Sequence, residues 1–119
     1  MTKDANYDLE ERTAHFAEIL IKLCKSCSKN YITLPLLDQL IRSGTSIGAN
    51  YYEANGASSR KDFKNKIFIC KKEAKETQYW IRSLAVAIDD EKLKNEFRKL
   101  WQEAKELSMI FAKIALNTV

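Results

Sequence analysis

Proline occurs once and glycine three times in these 119 residues. So few helix breakers argue against a fold built from turns and favour long helices joined by short links. Histidine is as scarce as proline: His15 stands alone, with no Ser or Cys beside it in an activating arrangement, so the usual nucleophile–base pair is not present. Three cysteines are an odd number, which suits a reduced interior better than a disulfide framework. No apolar run approaches the ~18 residues that a membrane span needs, and the polar stretch 1–12 does not read as a secretory signal. A cytoplasmic location without membrane attachment is therefore expected. The phosphate-cradling pattern GxxxxGK[ST] is missing, as is any Gly-rich strand-to-helix turn, so nucleotide binding by those modes is excluded. We expect no catalytic residue set, no cofactor and no metal.

What is present is periodic. Ile67, Cys70, Ala74, Thr77, Ile81, Leu84 and Ile88 recur at alternating steps of three and four, and so do Leu93, Phe97, Leu100, Ala104, Leu107, Phe111 and Ile114. Each set makes one narrow apolar seam on a helix that other helices must cover. The pattern predicts a single all-α domain over 1–119, an antiparallel up-and-down four-helix bundle with helices at about 8–28, 35–54, 60–88 and 90–115. Asp8 is the expected first cap, and Leu9, Phe16, Leu20, Leu23 and Cys27 form the first inner face. Pro35 fits the first turn of the second helix, whose apolar side carries Leu37, Leu40, Ile47, Tyr51 and Ala54. The stretch 43–49 is rich in Ser and Gly for a helix interior; we read it as close backbone approach to a neighbour, the alternative being a local break used for function. Asn55-Gly56 is expected to end that helix through a left-handed residue. Ser59 with Asp62 resembles a capping box for the third helix, and Asp89 or Asp90 caps the fourth.

Cys24 and Cys27 have the CxxC spacing of metal and redox sites, but zinc usually takes four ligands and only Cys70 and His15 could complete the set. All three cysteines fall on or beside the seams, where free Cys behaves as a small hydrophobe, and we read them as core.

Ser46-Ile47-Gly48-Ala49-Asn50, Glu53-Ala54, Ser59, Asp62-Phe63, and the run 72–77 followed by Trp80 and Leu84 resemble the four helix bundle protein family, encoded by intervening sequences within bacterial 23S rRNA genes and by stand-alone relatives. The resemblance implies an up-and-down bundle assembled as a ring-shaped homopentamer. It carries no established catalytic activity and hence no catalytic residues.

The net charge of +4 is modest, but residues 60–75 hold seven basic and two acidic side chains. Lys64, Lys71 and Lys75 project along one stripe away from the third helix's seam, with Lys61 and Lys72 beside it and Phe68 and Tyr79 near it. Cations interleaved with rings are one footprint of nucleic-acid binding, which makes RNA or DNA a candidate partner beyond self-association; a charge run is more often a solvated face, here with some rings packed between subunits. Ile19, Ile69, Trp80 and Trp101 lie beside or outside the seams, an apolar surplus that argues for a homo-oligomer. Asn50 and Glu53 sit close to the buried side of the second helix. We read them as a junction to the third helix with Arg60 as the partner of Glu53, the alternative being a polar pocket that grips a ligand.

Overall fold

The computed structural model describes residues 2–118, with side chains from residue 8 onward. Among the described residues all regular structure is helical, with no strand: α1 (Thr2–Ser26), α2 (Thr33–Asn55), α3 (Arg60–Ala87) and α4 (Glu91–Asn117). A helix the length of α3 measures ~42 Å, close to the 45 Å long axis of a molecule 24 × 19 Å across. All four helices therefore run along that axis. The links are too short for anything but a reversal of direction. Each helix packs on its neighbour in sequence, and α1 closes back on α4. No helix among the described residues is long and apolar enough to cross a membrane.

The two seams face inward. Every residue from Ile67 to Ile88 in the α3 series is buried, as is every α4 position from Leu93 to Phe111, with Ile114 half-buried. From the other side Phe16 and Leu20 of α1 and Leu40 and Ile47 of α2 complete the core. The Ser/Gly-rich middle of α2 is a place of close approach. A Cβ on Gly44 would lie 2.2 Å from Leu20 Cδ1, and one on Gly48 would lie 3.0 Å from Thr13 Oγ1. Buried hydroxyls next to this contact are satisfied: Thr13 Oγ1 donates to the carbonyl of Leu9 at 2.9 Å, and the Thr77 and Ser43 hydroxyls meet at 3.0 Å between α3 and α2. Arg12 adds a bridge from α1 to α4, donating to both carboxylate oxygens of Glu103 at 2.7 and 2.9 Å.

The helix ends depart from expectation in instructive ways. Asp8 caps nothing, because α1 starts at Thr2; residues 2–7 contain neither Gly nor Pro, so nothing stops the helix from extending. At the other end of α1, Lys29 Nζ donates to the carbonyls of Cys24, Lys25 and Cys27 at 3.1, 2.8 and 2.7 Å, covering acceptors that the helix leaves open. Asn30 and Thr33 then cap one another: Asn30 Oδ1 accepts from the Thr33 amide at 3.0 Å, and Thr33 Oγ1 accepts from the Asn30 amide at 3.0 Å. Gly56 is not left-handed; its φ is −101°, and α2 closes with tight turns from Gly56 N to Glu53 O and Ala57 N to Ala54 O. Ser59 and Asp90 are the caps of α3 and α4, accepting from the amides of Asp62 at 3.0 Å and Leu93 at 3.1 Å.

All three cysteines are free and buried. Burial pushes the thiols of Cys24 and Cys70 from the ordinary 9.0 up to about 12. The folded chain keeps these protons where the unfolded chain would release them. Their contribution to stability is complete below about pH 9 and declines as pH rises from 9.0 toward about 12. Urea midpoints measured from neutral pH to pH ~11 should fall on the alkaline side, and Cys70→Ala should flatten that fall.

Candidate nucleic-acid interface

On the side of α3 opposite the seam, Phe68, Lys72, Lys75, Tyr79, Arg82 and Val86 follow one another at steps of four and three. All are exposed: Phe68 by 48%, Tyr79 by 61% and Val86 by 85%. Lys61 extends the stripe toward the helix start, also exposed, while Lys64 and Lys71 are half-buried along its edge. Helical geometry alone creates this arrangement, because positions at the two steps that make the inner seam repeat equally well on the outer face.

Charge is sorted between the flanks. On the α2 side, Glu73 and Glu76 are both held by Arg42, with Glu73 at 3.2 Å, and Trp80 Nε1 donates to Glu76 at 3.3 Å. Lys66 donates to Glu53 at 2.8 Å, and that hydrogen bond, with the attraction of the carboxylate, raises its pKa. Glu53, Glu73 and Glu76 are thus already engaged. Lys61, Lys64, Lys71, Lys72 and Lys75 form no ion pair among the described residues. A row of unneutralised ammonium groups with two exposed rings can meet phosphates and offer π faces at the same time.

The remaining sequence candidates are placed as follows. Glu53 does join α2 to α3, but through Lys66 and not Arg60; one helical turn and more into α3 brings Lys66 alongside the end of α2, whereas Arg60 sits at the exposed helix start. Asn50 takes no part in that junction, since its Nδ2 donates to the carbonyl of Ser46 at 2.8 Å in its own helix. Ile69 and Trp80 are half-buried on the α2 flank. Trp101 is half-buried against the core on the other flank, at the groove between α3 and α4. The three apolar candidates therefore do not make one patch. His15 is exposed beside Glu18, 3.9 Å away, and no group of His, Cys, Asp or Glu among the described residues is arranged to hold a metal ion.

Sequence reading missed the cations that α4 brings to this side. Arg82 was signalled by its spacing of seven from Lys75, but Arg98, Lys94 and Lys105 join it only because α4 runs antiparallel along α3. Arg82, Lys94 and Arg98 rim one groove with Trp101, and Lys105 Nζ lies 5.8 Å from the Trp101 ring centre.

No curated protein matches the chain. Among solved structures it is similar to a protein of unknown function from the S23 ribosomal protein family of Bacteroides thetaiotaomicron, at 33% identity and a TM-score of 0.76 over 89% of this chain and 96% of that one. The family model for the 23S rRNA-intervening sequence protein matches residues 5–113, nearly the whole of the four helices, and the chain belongs to that family.

Proposed function

We propose that this chain is a non-enzymatic RNA-binding module that works as a homo-oligomer. The observation that carries the reading is the outer face of α3, where Lys61, Lys72 and Lys75 stand exposed and unpaired beside Phe68 and Tyr79. Phosphates take the place of counterions along the lysines, and unpaired bases contact the rings. Ile69 and Trp80, half-buried on the α2 flank, supply the contact between copies, and the family resemblance suggests a ring of five. Repetition of the lysine face around such a ring turns several weak contacts into useful avidity. Free thiols and the absence of a membrane-crossing helix among the described residues support a cytoplasmic setting.

Purification at low salt tests both parts. RNA should accompany the protein, raising its 260/280 absorbance ratio, and should leave in a wash at ~1 M salt, where screening acts over ~3 Å. Light scattering should return a multiple of the 13.7 kDa chain mass. A protein-only ratio at low salt, with no uptake of added RNA, removes the RNA reading; a single-chain mass removes the assembly. Oligomers without RNA affinity would leave a structural scaffold, with the lysines serving only to keep it dispersed.

A further inference from the structure

We infer that the groove between α3 and α4 at Trp101 is a site for one unpaired nucleotide of the bound RNA, a refinement that rests on the RNA reading above. The groove has a volume of about 320 Å³, at the small end of the ~300–1,000 Å³ typical of ligand pockets. That suits a base with its phosphate. Its floor is apolar, made by Ile81 and Phe97, exposed by 2% and 1%, with Ala85 and the half-buried edge of Trp101.

The rim is cationic on both sides. Arg82 reaches it from α3, and Arg98 and Lys94 from α4. Arg82 has no carboxylate partner among the described residues. Arg98 donates through one guanidinium nitrogen to Asn95, which steadies it and leaves further donors of its fork for a phosphate. Lys94 is only loosely engaged, 3.7 Å from the exposed carboxylate of Glu91. Lys105 stands over the Trp101 ring as a fourth cation, so a base entering the groove meets the indole edge.

Two features select the occupant. The combination of an apolar floor and a cationic rim matches a flat base joined to an anionic phosphate. Continuity with the α3 stripe gives the site its place in a longer contact: Arg82 follows Tyr79 and Lys75 along the exposed face, so a strand lying on the lysines arrives at the groove with its next nucleotides. An unpaired strand is required, because a base locked in a duplex cannot turn into the groove.

The probes are a uridylate decamer and an RNA duplex of equal length. The decamer should quench the indole emission of the native protein, and Trp101→Phe should abolish the quench while Trp80 continues to emit. Arg82→Ala combined with Arg98→Ala, both at exposed positions, should weaken decamer binding about tenfold and reduce the salt slope by about 0.7, the contribution of the one phosphate held at the rim. If the decamer binds with an unchanged slope in that variant and the indole emission does not respond, the nucleotide site is wrong while the RNA reading stands. Equal quenching by the duplex also overturns it, as does a change in scattering mass for Trp101→Phe, which would make the groove a contact between copies. Failure of every RNA to bind ends both readings together.

Discussion

Reversal of Lys72 and Lys75 to Glu should lower affinity for RNA about 100-fold at ~0.1 M salt, roughly tenfold for each side chain, since each loses a phosphate contact and adds a repelling charge. Both residues are exposed in the middle of the α3 stripe, between Phe68 and Tyr79. Neither is paired with a carboxylate among the described residues, so no internal contact is lost on substitution. Lys and Glu have similar helix propensity. The only structural cost is repulsion from Glu76, worth about 0.2–0.5 kcal/mol for a like-charged pair on one helix face. The urea midpoint should therefore hardly move. Titration of labelled RNA by fluorescence anisotropy, with circular dichroism on the same samples, separates the two effects. Unchanged affinity would mean that the stripe is a solvated surface and nothing more.

Phe111→Ala should do the opposite, removing about 3–5 kcal/mol of stability from a total of roughly 5–15 kcal/mol for a domain of this kind. Phe111 is fully buried, and its ring packs on Tyr51 with centroids 5.6 Å apart and planes tilted by 53°. That pair connects α4 to α2 across the core, where neither helix can collapse to refill the space. Thermal unfolding should drop by about 15 °C. RNA binding by the variant should follow its folded fraction, with an unchanged salt slope at temperatures where it is folded. A loss of stability below ~1 kcal/mol would mean that this part of the core is loosely packed.

The faces of each helix and the contacts between helices were not equally legible in the sequence. Phe111 and its seam companions announce themselves because burial within one helix is written at steps of three and four, and a helix must hide that row somewhere. The α3 lysines were readable for the same reason, as the complement of the seam. Contacts between helices follow another rule. Glu53 was matched to Arg60 by nearness in sequence, yet the axial register of α3 against α2 presents Lys66 instead. The gathering of Arg82, Lys94 and Arg98 around Trp101 likewise depends on how far α4 slides along α3, which no spacing within either helix records. Gly56 shows a third limit: an Asn-Gly pair permits a left-handed ending, but permission is not a requirement, and here the chain leaves α2 through right-handed turns.

The central claim is that α3 presents its lysines to RNA phosphates. Its most direct test is the affinity of the native protein for RNA between ~50 and ~200 mM salt. Engagement of about five phosphates predicts a fall of roughly two orders of magnitude over that range, with a straight line of log K against log salt. An affinity that stays flat across the same range, or no measurable binding at the lowest salt, would contradict the claim.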